Sequence, residues 1–183
     1  MIIAENILTK SILMKHGNSL NYIMFLGLLI LISFTSCFSD KKWKEMEEEE
    51  KIAIQDYLSE NDTIAFELKT SGLYYHDVKV GTGLQAALHD TAYVFYTMKF
   101  LSGGTFETNV GTKDTLIFPI NEGWLSVKGF DEGVTYMKEG GKAKFLVPSS
   151  LAFGSSGTYY VESYTPFVFD VELAKLDKYT GRK

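Results

Sequence analysis

The sequence predicts an α+β fold in which an antiparallel sheet closes over one short helix. Two observations carry this reading. Segments of strand character outnumber helical ones, and the single helix-like run of the folded part falls late in the chain, so helix and sheet are segregated rather than alternating. Aromatic residues make up 14% of the chain, with 13 Phe and 11 Tyr. That count suits a sheet-rich domain with an aromatic-lined cleft; an ordinary aromatic core would produce it equally well.

The N-terminal part of the sequence reads as a targeting segment. From Tyr22 to Phe34 it reads "YIMFLGLLILISF", apolar and without a charge. This is shorter than the roughly 20 residues needed to cross a bilayer and matches the apolar region of a secretory signal. Lys10, Lys15 and His16 supply the positive flank before it, and Met14 opens a more ordinary start than Met1. Thr35 and Ser36 then lead into Cys37, the only cysteine, which cannot form an intramolecular disulfide. An apolar residue, two small residues and a cysteine resemble the lipobox of bacterial lipoproteins. The resemblance implies a signal over residues 1–36, cut just before Cys37, and acyl chains on Cys37 as the membrane anchor. An uncleaved signal anchor is the alternative.

Residues 37–62 read as an acidic tether ending in a helix. Trp43, Met46, Glu50, Ile54 and Tyr57 recur at three- and four-residue spacings, a helical period with one polar gap. The run Glu47–Glu50 reads as a solvated face, and pairing of the helix with another chain is a secondary reading. Residues 63–183 form the folded domain, long enough to bury a core and expected to fold without the tether.

Within it, "SGLYYHDVKVGTG" (71–83) reads as a strand ending in a glycine turn. "TAYVFYTMKFLSGGTFE" (91–107) reads as a strand, a Ser-Gly-Gly turn and the start of the next strand, and "DTLIFPI" (114–120) as a further strand. In "VKGFDEGVTYMKEGG" (127–141), Val127, Phe130, Val134 and Met137 share one helical face, and Gly140-Gly141 is the predicted stop. "KAKFLVP" places Ala143, Phe145 and Val147 on one strand face. In "PFVFDVELAKL" (166–176), Phe167, Phe169, Val171 and Leu173 alternate with polar positions that include Asp170 and Glu172.

A net charge of −5 argues against a nucleic-acid partner. Gly81-Thr82-Gly83 lacks the third glycine and following helix of a phosphate loop, and "GSSG" (154–157) lacks the strand–Ser–helix context of a nucleophile elbow. His76 and His89 each stand beside an aspartate near a turn, and solvation is the better reading than metal binding. No cofactor or metal is expected.

The segments "GLYYHDVKVGTG", "VFYT…LSGGTFE", "VKGFDEGV…M", "GGKAKFLVPSSLAFG" and "PFVFDVELAKL" follow one another in the order seen in FKBP-type peptidyl-prolyl isomerases. The resemblance covers about residues 71–177. Its most specific parts are the last two, where the family commonly reads "IP..LAYG" and "LVFDVEL". With the lipobox and acidic helix, the chain resembles a lipoprotein of the Bacteroidetes type. The resemblance implies a sheet of five or six strands around a short helix, with an apolar pocket for a prolyl ring between them.

Carried over residue by residue, the resemblance puts the family's strand tyrosine at Tyr96, its aromatic wall at Phe106 and the acidic residue that follows at Glu107, where Asp is usual. Val127 precedes the helix and would hold substrate through its backbone. Phe130 forms the pocket floor in place of Trp. Phe153 stands where the tyrosine of "LAYG" donates to the substrate carbonyl, and Phe169 forms the wall from the last strand. Each phenylalanine alone reads as ordinary core; in register they read as a pocket. Tyr96, Glu107 and Phe153 are thus the catalytic candidates, and Phe106, Val127, Phe130 and Phe169 the substrate-binding ones. Met98 and Lys99 also replace the family's usual glycine, and "TYYVESYTP" (158–166) differs from its usual Pro-rich turn.

The function implied is peptidyl-prolyl isomerisation of proline-containing polypeptides in the bacterial envelope, with activity reduced by these departures. The rival is a non-catalytic FKBP-like peptide-binding or chaperone lipoprotein. A third reading is a structural partner in a surface assembly, held through the acidic helix.

Overall fold

In the computed structural model of the chain, residues 41–122 and 125–181 are described. Residues 1–36, expected to be a signal segment, and Cys37 lie outside them. No helix among the described residues is long and apolar enough to cross a membrane. The chain divides into a unit up to Glu45 and a unit from Met46 to Lys183. A helix, α1, covers residues 41–60. In the first unit the described residues are helical, with an exposed Lys41–Glu45 ion pair one turn apart.

The second unit holds a seven-stranded sheet. Its strands are β1 (Glu67–Leu68), β2 (Tyr74–Lys79), β3 (Thr91–Phe100), β4 (Thr105–Thr108), β5 (Leu116–Pro119), β6 (Lys142–Val147) and β7 (Phe167–Asp177). The order is β1-β2-β6-β7-β3-β4, with β5 also on β3, and every pairing is antiparallel. At two residues, β1 is too short to leave an alternation in the sequence. The long pair β3–β7 runs in register from Thr91 opposite Asp177 to Phe100 opposite Phe167, with one irregularity at Tyr93/Val94.

Strand β3 changes partner along its free edge. β5 pairs with Thr91–Val94 and β4 with Thr97–Lys99. Main-chain groups between the two would be left without a ladder partner, a costly state for a buried strand. Asn109 supplies the partners: its side-chain oxygen accepts the Tyr96 N–H at 2.7 Å, and its amide donates to the Val94 carbonyl at 3.0 Å. The Tyr96 carbonyl in turn accepts the Asn109 main-chain N–H at 3.2 Å and the Thr108 hydroxyl at 3.0 Å, so both main-chain groups of Tyr96 are held.

One face of the sheet covers the main core. Ala143, Phe145 and Val147 of β6 and Phe167, Phe169, Val171 and Leu173 of β7 all point into it, as their alternation predicts. Helix α2 (Lys128–Thr135) lies across this face. It stops well before the predicted Gly140-Gly141. The N–H of Tyr136 turns to the Gly133 carbonyl and that of Met137 to the Val134 carbonyl, a tightened last turn. The Gln85 amide then donates to the carbonyls of Thr135 and Met137, and the 83–85 segment pairs with 138–139. Met137 remains in the core, but on an extended segment. Gly140, at φ +78°, turns the chain into β6.

The helix approaches β6 closely because of its glycines. A Cβ on Gly133 would stand 2.5–2.7 Å from three atoms of the Phe145 ring. Alanine is intrinsically better than glycine in a helix interior by about 1 kcal/mol, whereas overpacking a core costs about 1–3 kcal/mol. The overlap wins, so Gly133→Ala is expected to destabilise by roughly 1 kcal/mol. A urea midpoint equal to or above that of the wild type would show that Phe145 can swing aside.

The opposite face of the sheet carries a second cluster, of Ile54, Leu146 and Val168, flanked by Tyr57, Leu58, Phe66, Tyr74 and Leu101. The part of α1 from Met46 onward therefore docks on the domain through Ile54. Elsewhere this face is charged, and Asp170 pairs with Lys99 and Lys144. The solvated-face reading of the acidic run holds for Glu47 and Glu48, which are exposed and pair with Lys51, and for exposed Glu49. It fails for Glu50, which turns onto the domain and binds Ser149.

Candidate functional site

Where β3, β4, β7, α2 and the turn after β6 converge, a cleft of about 330 Å³ opens. Strand alternation places Tyr96 and Met98 of β3 toward it, with Phe169 of β7 directly opposite Met98. The first turn of α2 brings Phe130, and the residue before it, Val127, reaches the same space. Phe153 comes from the turn that follows Ser149–Leu151.

The walls form an aromatic cluster. The Phe130 ring lies 5.1 Å from that of Phe169 and meets the Tyr96 ring edge-on at 5.4 Å. Phe130 and Phe169 are buried, whereas Tyr96, Val127 and Phe153 are partly exposed to the cleft. Polar groups are few. The Tyr96 hydroxyl donates to Glu107 Oε1 at 2.8 Å, so the longer acidic side chain still meets the strand tyrosine. Burial first, then the adjoining Glu107 carboxylate, pushes the Tyr96 hydroxyl well above its ordinary pKa. It is a neutral donor at every physiological pH, not a base. Val127 has extended backbone before the first helical turn, and its main-chain N–H has no intrahelical carbonyl to meet.

Of the sequence-predicted residues, the fold thus brings together Tyr96, Glu107, Val127, Phe130, Phe153 and Phe169. Phe106 is set apart from them. Its ring packs against Phe100 and Phe167, both at 5.6 Å, and it does not line the cleft directly. Phe167 in turn meets Phe153 edge-on at 5.8 Å, so Phe106 touches the cleft through one intervening ring. Sequence reasoning missed Leu116, Leu125 and Ser126, and did not assign Met98 to the lining. Met98 could have been found from its spacing of two from Tyr96, and Leu116 from its spacing of two from buried Phe118 on the strand read over 114–120; Leu125 and Ser126 sit on a segment without a readable period. Among the described residues, no group of three acidic, His or Cys side chains is placed to hold a metal ion.

This site can take an apolar group into a partly dry cleft and orient a polar one at its rim. It has no activated nucleophile. The FKBP-type peptidyl-prolyl cis-trans isomerase family model matches residues 83–174, and the chain belongs to that family. An FKBP-type peptidyl-prolyl cis-trans isomerase FkpA of Aeromonas hydrophila is 37% identical over 108 residues, which are 59% of this chain and 39% of that protein. An FK506-binding protein of Neisseria meningitidis serogroup B is 32% identical over 106 residues, 57% of this chain and 96% of that protein. The chain thus spans nearly all of the shorter relative but well under half of the longer one. A crystal structure of a peptidyl-prolyl isomerase from Pseudomonas syringae superposes with a TM-score of 0.63 at 18% identity, over 74% of this chain and 96% of that one, which shows a shared fold.

Proposed function

We propose that the chain catalyses cis-trans isomerisation of X–Pro bonds in polypeptides of the bacterial envelope, anchored there by lipid on Cys37. The observation that carries the reading is the cleft itself, an aromatic floor of Phe130 and Phe169 beside a Tyr96 hydroxyl held by Glu107. An amide resists rotation by about 18–20 kcal/mol because of C–N resonance, and X–Pro bonds isomerise unaided over tens to hundreds of seconds. The twisted transition state has lost that resonance, and its carbonyl is less dipolar. A prolyl ring seated on the aromatic floor therefore sheds less hydration in the twisted form than in the planar one. That difference is selective binding of the transition state. The N–H of Val127, which has no carbonyl to meet within the helix, then holds the substrate carbonyl.

A second reading has its own support. Phe153 offers no hydroxyl, and the Tyr96 hydroxyl is already given to Glu107. With its donors reduced, the cleft would bind proline segments without turning them over.

A proline-peptide isomerisation assay separates the two. Acceleration above the spontaneous rate is expected, weaker than in a relative with the tyrosine. Phe153→Tyr restores one donor; a hydrogen bond of about 1 kcal/mol made only in the transition state raises kcat/KM roughly fivefold. No acceleration, with the peptide still bound, would establish the binding module instead.

A further inference from the structure

Glu50 is the member of the acidic run that leaves solvent and bonds to the domain. Its Oε1 accepts the Ser149 N–H at 2.5 Å and its Oε2 accepts the Ser149 hydroxyl at 2.6 Å. Both donors of one residue are met by both oxygens of one carboxylate, a charge-assisted arrangement of high geometric specificity. Ser149 is 2% exposed, so these donors have little water to turn to if the carboxylate is removed.

Ser149 also holds the turn that follows it. Its carbonyl accepts the N–H of Ala152 and that of Gly154, each at 2.8 Å. These two residues flank Phe153. The Gly154 carbonyl then accepts the Tyr164 N–H at 3.0 Å, which ties in the loop leading to β7. A continuous set of bonds therefore runs from α1 through Ser149 to both sides of the Phe153 wall.

We propose that Glu50 is a positioning residue for the cleft. From α1 it fixes Ser149, and through Ser149 it fixes the turn that carries Phe153. The helix before the domain thereby sets the shape of the site. Its effect on turnover rests on the isomerase reading above, whereas its hold on the turn does not.

The test uses the full-length chain with Glu50→Ala, Glu50→Gln and Ser149→Ala. Two quantities are read: kcat and KM for a proline peptide, and amide hydrogen exchange at Ala152 and Gly154 against Phe145 and Phe169 in the sheet. In Glu50→Ala, exchange at Ala152 and Gly154 is expected to rise about tenfold while the sheet amides stay protected. A wall displaced by part of an ångström is expected to lower kcat/KM by about three- to tenfold, mainly through KM. Glu50→Gln keeps a carbonyl for the Ser149 N–H and an amide for its oxygen, and should recover most of both quantities. Ser149→Ala keeps the main-chain bond and should lie between the two. Unchanged exchange at Ala152 and Gly154 overturns the proposal. So does a uniform rise across the sheet, which means only that the helix has undocked. A loosened turn with unchanged kcat/KM removes Glu50 from the site. A wild-type chain that is inactive overturns the isomerase reading, and the exchange data still decide whether Glu50 holds the turn.

Discussion

Phe130→Ala is expected to lower the unfolding free energy by about 3–5 kcal/mol, the range for truncating a buried phenylalanine. Phe130 is 3% exposed. Its ring stands between those of Tyr96, Phe118, Phe145 and Phe169, at 5.4, 5.9, 6.2 and 5.1 Å. The space left by the ring is walled by α2 and the sheet, so collapse around it is limited. The same substitution empties the floor of the cleft, and prolyl turnover should fall with it. The check is denaturant unfolding, with a lowered midpoint at unchanged slope. A loss under about 1 kcal/mol would mean that the ring is not packed as described. The crowding also opposes enlargement: Phe130→Trp is expected to strain the core rather than tighten the cleft.

A chain beginning at Thr63 is expected to unfold cooperatively but at a markedly lower temperature. Removing α1 uncovers Leu146 and Val168, both buried beside Ile54. Burial of Ile54 alone contributes about 1.5–3 kcal/mol, and Tyr57 and Leu58 add to it. A total near 4 kcal/mol corresponds to a fall in Tm of roughly 15 °C for a domain of this size. Cooperativity should survive because the core between α2 and the sheet has no member from α1. A scan with no transition, accompanied by dye binding to exposed apolar surface, would show that the helix belongs to the folding unit. An unchanged Tm would show that its docking contributes nothing.

Much of the sheet was legible from alternation. β6 and β7 follow the period of two, and their apolar positions face the main core. Leu146 and Val168 break the expected polar side of that alternation, and they are the residues that Ile54 covers. The end of α2 was less legible. The apolar period continues to Met137, but the carbonyls that would extend the helix are taken by Gln85, from a segment some fifty residues away. A local pattern holds no information about such a partner. The cleft was legible only through the family resemblance. Tyr96, Phe130, Phe153 and Phe169 are ordinary aromatics until the fold places them around one space.

Periodicity alone showed which faces of β6, β7 and α2 meet the main core, because burial follows side-chain spacing and spacing is local. The site itself was not readable from periodicity: the resemblance pointed to Tyr96, Glu107, Val127, Phe130, Phe153 and Phe169, and the fold added Met98, Leu116, Leu125 and Ser126 to the same lining. Tertiary structure decided which of those side chains meet. It set Phe106 behind Phe167 rather than on the cleft. It let Asn109 bridge the break between β4 and β5 and so fix Tyr96. It gave Glu50, the polar gap in the helical period of α1, its partner in Ser149. Each of these rests on hydrogen bonds or ring contacts between segments distant in the chain or set by a change of strand partner. Their partners are chosen when the sheet closes, so no period in the sequence carries them.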